Sequence, residues 1–558
     1  MCGILFSLQV PSESEEAYGS TSLDELLEKI RGNVIARGIH LPRYFGLRLT
    51  FCGSELRLRG DSFVKQPHTN EDGNILCWNG EVFEGLEIGE HENDGQKLFS
   101  MLAGTPTAEE ICDVFAHVEG PYAFLFYHNA SRTVFYGRDP LGRRSLLVHR
   151  PTKANPYLLI TSVSAGVHPG YVLEEVSVAH IHGIQLEKVS DATPANVNRN
   201  IPDDPPRPIA LDRIPAHMSD TVDRLIVELD RSVMLRVRNI PQRDNAPGQA
   251  RVAVLFSGGI DSTMVAFLAD RHVDPDEPID LLNVAFENPR KIAVKVEGNV
   301  YALPKREKKK KLQERLDYST VTVTYDVPDR ITGRQEVEEL RRLCPRRKWN
   351  FLEINVPFEE SQQARAHVEA LMFPSKTVMD LSLAIALYFA ARGIGQVRTH
   401  PDADAETYTS PARVLLNGLG SDELLGGYGR HRTAFKHGGW QAVIDELQLE
   451  IDRIPTRNLG RDDRVISSWG KETRHPFLSL SVVNFLAQLP VYKKMDPRLE
   501  AGLGEKLLLR LAACKLGLVE ASSRKKRAMQ FGSHSARMAP GEGDRQGDLL
   551  LRDNNALE

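Results

Sequence analysis

Cysteine is sparse and scattered in this 558-residue chain: Cys2, Cys52, Cys77, Cys112, Cys344 and Cys514 form no Cys-x-x-Cys pair. That spacing speaks against a zinc site or a disulfide framework and for a reducing compartment, so the expected location is cytoplasmic. No apolar run approaches the roughly 20 residues that cross a bilayer, and no membrane partner is expected. The start, MCGILFSLQV, lacks a basic segment before its short apolar stretch and does not read as a secretory signal. Net charge is only −5, which gives no reason to expect nucleic acid as a partner. Internal repeats are also absent.

What remains is an ordinary globular composition, with 41% hydrophobic and 26% charged residues, in a chain too long for one core. Up to about residue 188, short apolar runs alternate with turn signals. Tyr122–Tyr127, Thr133–Tyr136 and Tyr157–Ile160 read as packed antiparallel strands, with Leu23–Ile30 and Gly95–Leu102 as helices. Residues 189–215 are rich in Pro, Asp and Asn, a density of proline that prevents helix and ladder alike, and read as a linker. Beyond it the style changes. Helical periodicity over Thr221–Arg238 precedes an apolar strand, Arg251–Phe256, and a helix, Thr263–Arg271. Leu281–Phe286, Phe351–Val356 and Arg413–Leu416 read as further buried strands, and this alternation predicts a parallel sheet covered on both faces over 216–532. A basic insertion at 288–319, with Lys308–Lys311, reads as a solvated loop because no aromatics accompany it. Residues 533–558 are polar and are expected to be a disordered tail.

If Met1 is removed, Cys2 carries both a thiol and an α-amine that titrates near ~7.7–8, able to act as base toward its own thiol. The thiolate could attack the carboxamide of glutamine, form a thioester and release ammonia. Trp78-Asn79-Gly80-Glu81 sets a side-chain amide beside a glycine N–H, a pair suited to a developing oxyanion. Asn93-Asp94 offers a carboxylate for an amino acid's ammonium group. Taken singly, these are an Asn-Gly turn and a helix-capping Asp.

Together with Met1-Cys2-Gly3-Ile4 and Gly137-Arg138-Asp139-Pro140-Leu141-Gly142, they resemble the class II glutamine amidotransferase domain of asparagine synthetases. The resemblance implies a four-layer αββα sandwich of Ntn type, with Cys2 as nucleophile, Asn79 and Gly80 as the oxyanion hole, and Glu81 and Asp94 at the bound glutamine. The family's Arg-Gly-Pro-Asp stretch appears here as Arg37-Gly38-Ile39-His40, and Arg57 and Arg59 are both candidates to clamp the glutamine carboxylate.

Leu255-Phe256-Ser257-Gly258-Gly259-Ile260-Asp261-Ser262 runs from a strand through a glycine turn into a helix. Such glycines let backbone N–H groups approach a pyrophosphate, and the helix start favours its charge. The motif resembles the pyrophosphate loop of enzymes that cut ATP between its α and β phosphates. Asn417-Gly418-Leu419-Gly420-Ser421-Asp422-Glu423 and Gly426-Gly427-Tyr428 resemble the second nucleotide motif of asparagine synthetases. By that resemblance the second half is an α/β ATP-pyrophosphatase domain using ATP and Mg2+. Phe256, Ser257, Gly258, Gly259, Asp261, Ser262, Val284, Asn417 and Gly418 would touch the nucleotide, and Asp261 and Asp422 would bind the metal. Lys506 matches a lysine near the reacting phosphate.

Two departures bear on the acceptor. The family's catalytic glutamate is Leu419 here, which cannot accept a proton or hydrogen bond. The segment that helps hold aspartate reads Lys376-Thr377-Val378-Met379-Asp380-Leu381-Ser382. Three functions stay open: asparagine synthesis from glutamine, aspartate and ATP; the same machinery amidating another small carboxylate; and an ATP-binding scaffold.

Overall fold

The computed structural model of the chain describes residues 2–9, 20–37, 39–40, 44–45, 49–185, 188–189, 213–241, 248–287, 324–400, 403–537 and 550. All but the ends of the expected linker, and the whole basic insertion, lie outside the described residues.

The first half supplies six main strands: β1 Gly3–Gln9, β2 Leu49–Glu55, β3 Ile75–Gly80, β4 Tyr122–His128, β5 Thr133–Arg138 and β6 Tyr157–Thr161. A seven-stranded sheet has β1 at its centre, antiparallel to β2 and β6, and a six-stranded sheet holds β3, β4 and β5. Strand side chains alternate between faces. Ile4 and Phe6 of β1 therefore enter a core between the two sheets, where they meet Ile75, Cys77, Leu125 and Ile160. Leu5 points the other way, onto Leu26, Ile30 and Val34 of helix α1 (Ser20–Ile35). The outer face of the second sheet is covered by α2 (Asp94–Ala103) and α3 (Ala108–His117), whose Leu98, Phe99 and Phe115 pack on Trp78 and Phe124. The four layers are helix, sheet, sheet, helix, as expected. Both faces of each sheet are buried, so its strands read as continuous apolar runs.

In the second half, helix α4 (Ser219–Val237) precedes β7 Val252–Leu255, α5 Ile260–Asp270, β8 Ile279–Phe286, α6 Pro328–Leu343, β9 Trp349–Val356, α7 Phe358–Met372 and α8 Val378–Arg392. Strands β10 Ile394–Val397, β11 Glu406–Thr409, β12 Val414–Leu416 and β13 Glu472–Arg474 complete a seven-stranded sheet of order β11-β10-β9-β8-β7-β12-β13. Strands β9, β8, β7, β12 and β13 run parallel, with one core on each face of the sheet. The parallel expectation fails at one edge, where β10 and β11 add as an antiparallel hairpin. Gly395-Gln396 breaks the apolar alternation there and hides the strand in the sequence. Because β7 lies between β8 and β12, the carboxyl ends of β7 and β12 open at a topological switch point, where open α/β sheets bind ligands.

The expected tail begins too early. Ser533, His534 and Ser535 are buried, and the Ser533 carbonyl accepts from Phe286 N at the end of β8 (3.0 Å). Strand-end hydrogen bonding anchors these small polar residues, although their composition reads as disorder. Among the described residues, no helix is long and apolar enough to cross a membrane.

Candidate functional sites

The start of β1 is pinned by two hydroxyls: Gly3 N donates to Ser54 Oγ and Ile4 N to Ser162 Oγ, each at 2.9 Å. This fixes Cys2, which is half-buried. Burial pushes its thiol up to about 12, opposed by the positive chain terminus and the Leu56 backbone, and raised further by Glu55 and Asp94. A thiol so placed stays protonated at neutral pH unless a base takes its proton.

Asn79 lies at the end of β3 and is 1% exposed, yet neither its Nδ2 nor its Oδ1 has a hydrogen-bond partner. An unmatched buried amide is costly, and its polar atoms are free for a bound group. Gly80 is required beside it, because a Cβ would lie 2.6 Å from Tyr122 Cβ and 2.8 Å from Pro121 O. Asn93, rather than Asp94, caps α2 by accepting from Gln96 N (3.0 Å). Buried Asp94 instead accepts from Val82 N (2.8 Å) and Gly95 N (2.9 Å), which ties the helix start to the chain just past Asn79-Gly80. Burial raises the Asp94 carboxyl, against the pull of Arg59. Of the two candidate arginines, Arg59 belongs to this cluster: its Nε is 3.1 Å from Glu81 Oε2, and it donates to Val82 O (2.9 Å). Arg57 adopts φ 51° and reaches the Asp61 carbonyl at 3.4 Å.

The second site opens at the ends of β7 and β12, around a cavity of about 250 Å³ lined by Phe256, Ser257, Asp261, Asn417, Gly418 and Asp422. Ser262 and Val284 line it as well. Gly258 turns at φ 75°, where a Cβ would sit 2.5 Å from Gly333 N. Gly418 lets the second loop approach Asp261, whose Cβ would be 2.8 Å from any Cβ placed there. Gly259 immediately precedes α5 and takes its Ser257 Oγ bond through N (3.2 Å).

Lys506 is 1% exposed and sits behind the two carboxylates. Its Nζ is 2.6 Å from Asp261 Oδ2, 2.8 Å from Asp422 Oδ1 and 3.0 Å from Ser421 Oγ. Both aspartates raise its pKa against the desolvation that would lower it. Asp422 also takes Lys526 Nζ at 2.7 Å, and the two ammonium groups hold its carboxyl far below the ordinary range, overcoming desolvation. Buried Asp261 Oδ1 has no partner. Two carboxylates with a spare buried oxygen suit a hard divalent cation that takes its other ligands from phosphates and water. Among the described residues, no cluster of three His, Cys, Asp or Glu forms an all-protein metal cage.

The sequence reading assigned no role to Lys526, which stands in the basic run Arg524–Arg527. It also missed Asp329, a buried cavity residue whose carboxyl is pushed up to about 7 by desolvation, against Arg527 and Lys526. Leu419, Met379, Asp380, Leu383 and Leu387 also line the cavity. Asp380 there is bound to Thr377 Oγ1 (2.6 Å) and Arg461 (2.7 Å).

A seam of buried ions joins the two halves. Arg37 meets Asp463 (2.6 Å), Arg464 meets Glu175 (2.6 Å), and Arg144 meets Glu472 (2.9 Å). Arg143 grips Glu119 through both nitrogens at 3.1 Å and donates to Leu478 O. Arg474 Nη2 lies 3.4 Å from Glu81 Oε1, across the boundary.

The asparagine synthase family model matches residues 245–441 and 433–556. Asparagine synthetase domain-containing protein 1 of Homo sapiens is 35% identical over 621 residues, covering 96% of this chain and 95% of its own. Asparagine synthetase domain-containing protein YML096W of Saccharomyces cerevisiae is 32% identical over 587 residues, covering 99% of each.

Proposed function

Since the chain belongs to the asparagine synthase family, we propose that it is a glutamine-dependent amidotransferase in which the first half releases ammonia and the second spends ATP to activate a carboxylate. With Met1 removed, the Cys2 α-amine takes the thiol proton and the thiolate attacks the glutamine carboxamide. Asn79 Nδ2 and Gly80 N donate to the oxyanion, Asp94 and Glu81 hold the substrate's ammonium end, and Arg59 faces its carboxylate. The proton passes to the departing ammonia, and water then frees glutamate from the thioester.

In the second site the acceptor carboxylate displaces pyrophosphate from ATP, and ammonia then displaces AMP to leave an amide. The Ser257–Gly259 turn and the start of α5 would cradle the phosphates, with Phe256, Val284, Asn417 and Gly418 against the nucleotide. Magnesium, held by Asp261 and Asp422, would offset the phosphate charge. Lys506 keeps those carboxylates together and holds its proton near the leaving pyrophosphate.

The observation that carries this reading is the convergence of Asp261 and Asp422, from two separate strand ends, on the single ammonium of Lys506. Aspartate is one acceptor. Leu419 favours a second reading, in which another carboxylate is amidated: it puts an apolar side chain where the cavity lining also includes Met379, Leu383 and Leu387. The test is ATP–pyrophosphate exchange across a panel of carboxylic acids, with amide formation from glutamine or ammonia. Exchange should depend on one acid class, and Cys2→Ala should lose the glutamine reaction while keeping the ammonia reaction. No exchange with any acid would leave a binding protein rather than a ligase.

A further inference from the structure

The ion seam includes one residue with a hand in each site. The side chain of Arg474 reaches Glu81 (3.4 Å), bonds Glu472 Oε1 (2.6 Å) and donates to Arg236 O (2.7 Å), with its guanidinium 5.5 Å from the centre of the Phe83 ring. Its own carbonyl accepts from Asn417 N (2.9 Å), and Asn417 Oδ1 then accepts from Leu419 N (3.0 Å). Side chain and main chain of one buried arginine thus touch the glutamine cluster and the nucleotide loop.

We propose that Arg474 is a positioning residue for glutamine hydrolysis, supplied by the ATP-using half, that faces Glu81 across the boundary and so keeps Arg59 in place. The proposal rests on the glutaminase reading above. Glu81 faces Arg59 and Arg474 as cations and Asp94 and Glu472 as anions. Glu472 is itself paired with Arg144 at 2.9 Å. Desolvation pushes Glu81 up to about 7, with Arg474 the largest opposing influence. Removing Arg474 leaves Glu81 with Arg59 against Asp94 and Glu472. Glu81 then stays protonated to higher pH, weakens its 3.1 Å bond to Arg59, and frees the arginine that faces the glutamine carboxylate.

The test uses the full-length protein and a glutamine-mimicking diazo ketone. The Cys2 thiol alkylates by forming an S–C bond as N2 leaves, with the thiol proton moving to the former diazo carbon, and intact mass reads the product. For Arg474→Ala the concentration for half-maximal labelling should rise about 10-fold or more at pH 7. Its labelling should also move about one pH unit upward. Arg474→Lys should restore most of both. Glu81→Gln, which removes the titrating group without changing its shape, should abolish the pH displacement in the Arg474→Ala background, a readout that simple loosening of the fold would not move. Labelling of Arg474→Ala that matches the natural protein in concentration and pH overturns the proposal, as does a pH displacement that survives Glu81→Gln. Failure of the natural protein to label at Cys2 overturns the glutaminase reading itself, and this proposal with it.

Discussion

Lys506 adopts a left-handed backbone, φ 54°, and its Nζ lies 2.6 Å from Asp261 Oδ2. A non-glycine residue in that region costs of order 1–3 kcal/mol and persists where the surroundings over-determine it. Here the backbone turn delivers the ammonium to two carboxylates that would otherwise repel each other. Lys506→Met should therefore lower ATP–pyrophosphate exchange by about 10²–10³-fold. Lys506→Arg should not rescue it, because a planar fork cannot take the place of a compact ammonium among Asp261, Asp422 and Ser421. Exchange within a few fold of the natural protein in either variant would remove Lys506 from the reaction.

Gly258 is the tightest point of the phosphate turn, at φ 75° with Gly333 N directly behind it. Gly258→Ala should destabilise the protein by about 1–3 kcal/mol through backbone strain, and should weaken ATP binding more than a melting shift explains. Calorimetric titration with ATP and magnesium, beside thermal unfolding, separates the two effects. Gly439, also at positive φ but with nothing within 4 Å of where a Cβ would sit, is the control at which alanine should leave ATP binding unchanged.

Much of this was legible in the sequence, for identifiable reasons. Tyr122–Tyr127 and Arg251–Phe256 are buried on both sides and declare themselves as apolar runs. Asp261 and Asp422 stand in glycine motifs whose backbone geometry is itself a signature. Glu81 follows the Asn79-Gly80 motif, but its pairing with Arg474 carries no such mark: the two lie in different halves of the chain, and only the docking of the halves brings them together. Arg57 and Arg59 could not be ranked, because the φ 51° turn at Arg57 that separates them is a tertiary outcome. Lys526 has no signature of its own, and only the fold brings it to Asp422.

Glu119 offers a pH test of the seam. Arg143 and Arg236, with Leu480 N, hold its carboxyl down at about 2 despite desolvation. A depressed folded-state value adds stability that is complete above the unfolded value near 4.5 and is lost as pH falls toward 2. The shift corresponds to about 3 kcal/mol. Urea midpoints of the natural protein should therefore fall steeply below pH 4.5. Glu119→Gln should start lower at pH 7 and lose less over the same range. Parallel acid profiles would show that Glu119 does not carry this dependence.

Leu419 marks the acceptor end. Its N–H is held by Asn417 Oδ1 (3.0 Å), so the loop is in place whatever the side chain. If aspartate is the acceptor, asparagine formation should be slow by about 10²–10⁴-fold for want of a positioned acid–base group, and Leu419→Glu should raise it. If the cavity serves another carboxylate, the same substitution adds an unpaired charge to its lining and helps nothing. Single-turnover AMP release with aspartate, in both proteins, decides between these outcomes. Fast asparagine synthesis by the natural protein would mean that a glutamate is dispensable here.

The chemistry of the seam also governs what happens when the halves part. Faces lined with leucine would stick to anything once exposed, whereas Arg37, Arg143, Arg144, Arg464 and their carboxylates are at home in water as soon as it reaches them. Separation exchanges ion pairs for hydration, but it also uncovers Leu56, Leu58 and Leu141, which pack with the core of the second half. Rising salt, which weakens ion pairs as water reaches them, would loosen the halves while leaving the aliphatic cores of each intact. The ions of the seam thus also keep these leucines covered.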